Sequence, residues 1–309
     1  MLGRVDFIKL LFPDFSLILC GWLVCRYTAL NRPVWQQVEA LVYYFLFPVL
    51  LFQSIVRNPL DLDAASALIA AGVLMGLAAI GLSYALPHLP WIGRHIDRRD
   101  HAGSAQVAFR FNSFIALALM ERIAGPQGLQ LIAVLIGFCV PMFNIGAVWP
   151  MARHAGTHFG SALLRNPLIV ATASGLAANL AGLSIPGWLE PTVTRIGAAS
   201  IALGLMAAGA GMQFGSLAKG KTLAMSVLGI RHFLTPVIAL VLARLLRLDA
   251  VQTTVLLVFS AMPTASSCYV LAAKMGYNGA YVAALVTVST VAAGLSLPFA
   301  LGVLAPLGR

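Results

Sequence analysis

The stretch Pro263-Thr264-Ala265-Ser266-Ser267 puts a proline and three hydroxyl side chains in the middle of an apolar run. Roughly half a chain length earlier, Arg110-Phe111-Asn112-Ser113 interrupts another apolar run in the same way. In a bilayer, backbone that leaves the helical hydrogen-bond ladder is tolerated only where protein or a water-filled cavity surrounds it. The two stretches therefore predict two helices that are broken at mid-membrane depth.

Composition predicts a membrane protein with several spans. Hydrophobic residues make up 60% of the chain and charged residues 10%, whereas roughly 25% of a soluble domain is charged. A span needs about 20 apolar residues to cross a hydrocarbon core of about 30 Å. We expect an all-α polytopic protein with ten transmembrane helices at 7–24, 38–56, 64–86, 104–120, 128–149, 167–183, 193–214, 223–243, 251–271 and 281–304.

Proline, glycine and tryptophan residues recur as markers at matching spacings in the two halves of the chain. This recurrence predicts an internal repeat with units 1–152 and 153–309. Five spans in each half would insert the second half upside down relative to the first. Paired interruptions in inverted repeats indicate the binding site of a secondary transporter. The markers are Pro13 with Gly21 against Pro167 with Gly175, and Pro33-Val34-Trp35 against Pro186-Gly187-Trp188.

The basic charge fits a membrane rather than nucleic acid. The formal net charge is +10, but the basic residues are scattered through short connections and form no continuous stripe. The positive-inside rule favours a cytoplasmic position for the polar connections 87–103 and 150–166, and therefore non-cytoplasmic termini. We expect a multi-pass protein of the cell membrane.

Other functional classes find little support. Residues 215–222 fit the nucleotide-binding P-loop pattern, but they join two membrane spans instead of following a strand, so Lys219 and Lys221 are interpreted as topology anchors. The cysteines lack metal-ligand spacing, and His154 and His158 are four residues apart but lack the further ordered ligands that a zinc site needs. We place all ten acidic residues at or near span edges or in connections. We therefore expect no enzyme, no metal and no cofactor.

The polar residues at depth are positive or neutral, which suits an anion. Pro263 lacks an amide hydrogen and frees the carbonyl four residues earlier, and a half-helix N-terminus offers amides to a carboxylate. A packed proline kink and an Arg110 that only solvates backbone remain the alternatives. The predicted substrate-binding residues are Asn112, Arg110, Ser113, Pro263, Thr264, Ser266 and Ser267, and Arg231 and His232 are candidates for charge balance or proton linkage.

The chain resembles the auxin efflux carrier family, which includes bacterial permease-like proteins and the plant PIN auxin exporters. The likeness is carried by Asn166-Pro167 through Gly175, the Gly-rich run 197–214, Ala261-Met262-Pro263 through Ala272, and Asn112. It departs at Ser113, where the family often has glycine or proline. The resemblance implies a fold like that of bile acid sodium symporters, scaffold and transport subdomains, crossing broken helices 4 and 9, and, for a bacterial member, the inner membrane.

We expect a secondary transporter of small organic anions that works by alternating access. A channel or receptor on the same fold is the first alternative, and a membrane-embedded enzyme is the second. The absence of carboxylates at mid-membrane favours uncoupled transport. Gly72 and Gly76 form a GxxxG pair that fits either a homodimer or close packing within the chain.

Overall fold

The computed structural model describes residues 7–57, 62–154, 167–211, 217, 220–265 and 267–307, and within these residues all regular structure is helical. Ser266, Lys219 and most of the connection 150–166 lie outside the described residues. The helices are α1 Phe7–Tyr27, α2 Arg32–Leu41, α3 Phe47–Val56, α4 Leu62–Ala85, α5 Arg98–Ser104, α6 Ser113–His154, α7 Pro167–Leu180, α8 Glu190–Ala210, α9 Lys221–Gly229, α10 Thr235–Leu245, α11 Ala250–Ala261, α12 Ser267–Lys274, α13 Gly279–Pro298 and α14 Ala305–Leu307.

Four of the described helical segments are long and apolar enough to cross a membrane: Ser66–His88, Val134–Arg153, Lys221–Leu245 and Gly279–Leu304. Two shorter apolar helices, Ser16–Tyr27 and Ala250–Ala261, accompany them. An all-helical chain with several such segments is consistent with the expected polytopic membrane protein.

Among the described residues, three π-helical segments join pairs of helices, and a proline lies two residues after each segment. They are Val42–Leu46, Ile230–Leu234 and Phe299–Leu304. A proline cannot donate the usual helical hydrogen bond, and a wider turn accommodates the carbonyl that loses its partner. In the second segment, the Thr235 hydroxyl donates to the carbonyl of Ile230 at 2.7 Å. The widened turn thus stays hydrogen-bonded while it redirects the side chains of this segment.

The helices pack in two groups, and each group contains helices from both halves of the chain. One group contains α1, α2, α3, α7 and α8, and the other contains α4, α6 and α9 to α13. Gly21 of α1 and Gly209 of α8 permit very close approach in the first group, because a Cβ atom at either position would meet backbone of the other helix at 1.8 Å. In the second group, Gly72 and Gly76 face Leu135, Met142 and Phe143 of α6. This contact favours packing within the chain as the role of the GxxxG pair.

Both predicted interruptions are present in the second group. Residues 109–112 are non-helical between the 3₁₀ segment Ala105–Ala108 and α6, and residues 262–265 are non-helical between α11 and α12. Gly125, with φ +58°, divides α6 into two segments, and glycine suits this left-handed conformation. By contrast, Pro13 lies within an uninterrupted α1.

Candidate functional site

The two breaks touch each other through main-chain atoms. The Asn112 amide donates a hydrogen bond to the carbonyl oxygen of Pro263, at 2.8 Å. The Asn112 side chain accepts from the amide of Ile115 at 3.3 Å, as an N-cap residue does at the start of a helix. Asn112 therefore ends one break, begins α6 and fixes the position of the other break.

Arg110 links the first break to the start of α12. Its guanidinium is buried and donates to Gln106 Oε1 at 2.9 Å and to Ser267 Oγ at 2.8 Å. The Gln106 amide in turn donates to the carbonyl of Cys268 at 2.9 Å. Gln106 thus orients Arg110 and ties both to the first turn of α12. All of these partners are neutral, so the positive charge of Arg110 is solvated but not cancelled.

Arg231 performs a different task at the C-terminal end of α11. Its Nε donates to the carbonyl of Met262 at 2.8 Å, and its Nη2 donates to that of Phe259 at 3.2 Å. Phe259 is the residue whose carbonyl Pro263 leaves without a helical partner. Arg231 is 1% exposed, so its guanidinium is enclosed by protein beside the second break.

His232 bridges the two sides of the second break through two serines of α13. On one side, the Thr264 amide donates to Ser289 Oγ at 2.9 Å, and Ser289 lies 2.8 Å from His232 Nε2. On the other side, His232 Nδ1 lies 2.9 Å from Ser296 Oγ, and that hydroxyl donates to the carbonyl of Ala261 at 3.0 Å. All four bonds are satisfied together when the ring is neutral with its proton on Nδ1, because Ser289 can then donate to Nε2.

The local charge balance is positive. Within the described part of the chain, no carboxylate is hydrogen-bonded to Arg110 or Arg231. The buried carboxylate of Glu39 is already paired with Arg32. Helices α6 and α12 both begin at the crossing, and a helix N-terminus carries partial positive charge. The arrangement can therefore stabilise a negatively charged group.

The structure brings most of the predicted site residues together. Five of them are buried at the contact between the breaks: Arg110, Asn112, Pro263, Thr264 and Ser267. Ser113 is half-buried as the first residue of α6, and Ser266 lies outside the described residues. The predicted pair Arg231 and His232 lies in the π segment Ile230–Leu234. Arg231 stabilises the second break by direct hydrogen bonds, and His232 does so through Ser289 and Ser296.

Comparison with protein families identifies a known membrane domain in the second half of the chain. Residues 150–301 match the model of the family described as membrane transport protein, which is the membrane transport domain of the auxin efflux carrier family. Residues 150–301 therefore carry the membrane transport domain of this family of transporters. No curated protein matches the chain. The matched residues of this auxin efflux carrier domain include the second break, whereas the roles of Arg110 and Asn112 rest on the geometry described above.

Two residues near the contact between the breaks lie outside the set that the sequence predicts. Ser289 and Ser296 were not predicted, although both are buried in α13 and hold the His232 ring. Their spacing of two helical turns places them on one face of a helix, which is the signal that could have found them. The family is one of transporters rather than enzymes, consistent with the expectation of no catalytic activity.

Proposed function

We propose that the protein is a secondary membrane transporter of small organic anions, such as dicarboxylates or auxin-like acids, with its binding site where the two breaks meet. The observation that carries this proposal is the buried Arg110, which has only neutral partners and lies at the starts of α6 and α12. A charge at depth in a membrane protein is expensive and usually has a partner or a function. A substrate carboxylate would supply the missing negative charge.

Asn112 and Ser267 have the chemistry to complete the site. The Asn112 amide group can donate to a carboxylate, while its main-chain contact with Pro263 keeps the breaks together. The Ser267 hydroxyl accepts from Arg110 and keeps its own proton for another acceptor. Substrate can therefore be recognised by a guanidinium, an amide and hydroxyl groups at the starts of two half-helices, where the helix dipole is positive.

We further propose that the architecture is two inverted five-helix repeats, 1–152 and 153–309, with ten spans in all. The two packing groups support this proposal, because each draws helices from both halves, as scaffold and transport subdomains would. Alternating access would move the group with the two breaks relative to the group held by the close α1–α8 contact. The protein would lie in a cell membrane, such as a bacterial inner membrane, with its termini on the non-cytoplasmic side.

A channel or a receptor could use the same fold, and cysteine accessibility separates these alternatives. Single cysteines introduced on the two sides of the crossing should show opposite changes in labelling when substrate is added, if access alternates. Simultaneous labelling from both sides during flux would identify a channel. Binding without flux would identify a receptor.

The main experiment is uptake by purified protein in proteoliposomes. A thermal-shift screen across monocarboxylates and dicarboxylates selects the substrate, and uptake of that labelled acid is then measured over a range of concentrations. We expect saturable uptake and acceleration of exchange by the same acid on the opposite side. Uptake that does not saturate, with no stabilisation by any organic anion, would contradict the proposal.

A further inference from the structure

A second basic site shares no residue with either break and lies where two membrane helices end. A cavity of about 480 Å³, within the usual size range of ligand pockets, is lined by residues of α4, α5 and α6 and of the turns after α4. The membrane-spanning segments of α4 and α6 end at His88 and Arg153, and both residues line the cavity. The cavity therefore lies at the level of the membrane–water interface.

The walls of the cavity are held together by hydrogen bonds between the three helices. His101 Nε2 donates to the carbonyl of Ser83 at 2.8 Å and joins α5 to α4. The Tyr84 hydroxyl donates to the carbonyl of Gly146 and joins α4 to α6. These bonds occupy the Nε2 atom of His101 and the hydroxyl of Tyr84, and the other polar side chains that line the cavity are Arg98, Arg153 and His88.

The charge of the cavity comes from two arginines. Arg98 and Arg153 both line it and are exposed, and neither has an acidic partner among the described residues. The nearby carboxylate of Asp97 is engaged, because it accepts from the amides at the start of α5 at 2.9 and 2.8 Å. Burial lowers the pKa of His101 below its ordinary value. The hydrogen bond to the Ser83 carbonyl raises this pKa, but burial is the larger effect, so His101 stays neutral at pH 7.

Two guanidinium groups in one cavity are suited to a phosphate group, because each can donate two parallel hydrogen bonds to its oxygens. The surroundings point to a lipid as the source of that phosphate. Trp149 lines the cavity and is 41% exposed, and Ile145, one turn deeper in the span, is 42% exposed on the same side of α6. An apolar face thus continues from the cavity into the membrane, where acyl chains would lie.

We propose that this cavity binds the phosphate of an anionic phospholipid, with the headgroup between Arg98 and Arg153 and the acyl chains along the exposed face of α6. Basic pockets between transmembrane helices bind anionic lipid headgroups in this way. The site is separate from the crossing of the breaks and needs no transported substrate. Bound lipid would connect α4, α5 and α6 at the membrane surface.

The test is thermal unfolding of the purified protein in a neutral detergent with four additives: phosphatidylglycerol, phosphatidylcholine, sn-glycerol 3-phosphate and inorganic phosphate. We expect phosphatidylglycerol to raise the midpoint temperature by about 2–4 °C and the other three to have little effect. Arg98→Gln and Arg153→Gln should each lose most of this shift. Arg94→Gln is the matched control, because it removes an exposed arginine of the same connection that does not line the cavity.

Each other outcome overturns the proposal in a distinct way. An equal shift with phosphatidylcholine, or an equal loss in Arg94→Gln, would show a general effect of lipid or of net charge. A shift with inorganic phosphate that depends on Arg98 and Arg153 would make a soluble phosphate the ligand. If a glutamine variant does not fold, Arg98→Lys and Arg153→Lys replace it. Lipid counting by native mass spectrometry should then find fewer bound phosphatidylglycerol molecules than in the Arg94 variant.

Discussion

The two helix breaks meet at one point but are stabilised in different ways. The break at 109–112 contains no proline, and its own Arg110 binds side chains, Gln106 and Ser267. The break at 262–265 is formed around Pro263, and its carbonyls are satisfied from another helix by Arg231. A side-chain partner can be exchanged for a substrate, whereas a carbonyl at the end of a buried helix needs its donor permanently. Two buried arginines in one site can therefore have opposite roles.

The largest expected effect is on stability and concerns Arg231. Arg231→Gln shortens the side chain and leaves the carbonyls of Phe259 and Met262 without a donor, at about 1–3 kcal/mol for each buried group. We expect a lower unfolding temperature and loss of a monodisperse peak in size-exclusion chromatography. Arg110→Gln, which removes the same group from the other break, serves as the matched control and should stay folded. A well-folded Arg231→Gln protein that has lost only anion transport would move Arg231 into the substrate site.

The second effect is on substrate charge and concerns Arg110. If Arg110 pairs with a carboxylate, Arg110→Gln removes a charge-assisted hydrogen bond worth about 1.5–3 kcal/mol, or about 10- to 100-fold in affinity. The loss should be seen for the acid and should be small for its neutral amide isostere. Binding of both compounds is measured by thermal shift, and uptake of the acid in proteoliposomes. Equal losses for acid and amide would leave Arg110 as a solvating group for the breaks, the alternative that the sequence left open.

A smaller effect is expected at Asn112. Asn112→Ala keeps the main-chain bond to Pro263, loses the cap on α6 at about 1 kcal/mol, and should reduce uptake by about 5- to 10-fold with near-normal expression and monodispersity. Asn112→Ser distinguishes the two roles, since serine is a good cap but lacks the amide. We expect that variant to recover stability without recovering uptake. Normal substrate affinity and uptake in Asn112→Ala would remove this residue from the site.

The smallest expected effect is that of a pH difference on substrate accumulation. His232 bridges the second break as a neutral ring, so the bridge does not need an added proton. With the membrane potential clamped and no sodium present, a pH difference alone should not drive accumulation of a fully ionised substrate. Accumulation is measured in proteoliposomes with an internal pH probe. Concentrative uptake driven by pH, and lost in His232→Ala, would assign a proton-carrying role to the bridge. It would also give the second break a role in coupling, in addition to its proposed contact with the substrate.

Sequence reasoning found the elements of the site more readily than their roles. The interruptions at Asn112 and Pro263 stand out against apolar runs, so their positions were predictable from residue type alone. The freed carbonyl of Phe259 was also predictable, because it follows from the missing amide hydrogen of Pro263. The donor to this carbonyl was not predictable, since Arg231 lies 28 residues before Phe259, with α10 between them, and the direction of its side chain depends on the π segment. The cavity between α4, α5 and α6 was not predictable for the same reason, because its walls come from three separate helices.

By itself, the sequence determined that this chain is helical, belongs in a membrane and carries two polar interruptions, because hydrophobic length and the chemistry of proline, asparagine and arginine act locally. The tertiary structure decided that the amide of Asn112 meets the carbonyl of Pro263 and that Arg110 contacts Ser267 while Arg231 contacts carbonyls. It also decided that His232 lies between Ser289 and Ser296. These pairings join residues distant in sequence, and helix packing, rather than any local preference, selects which buried donor reaches which acceptor.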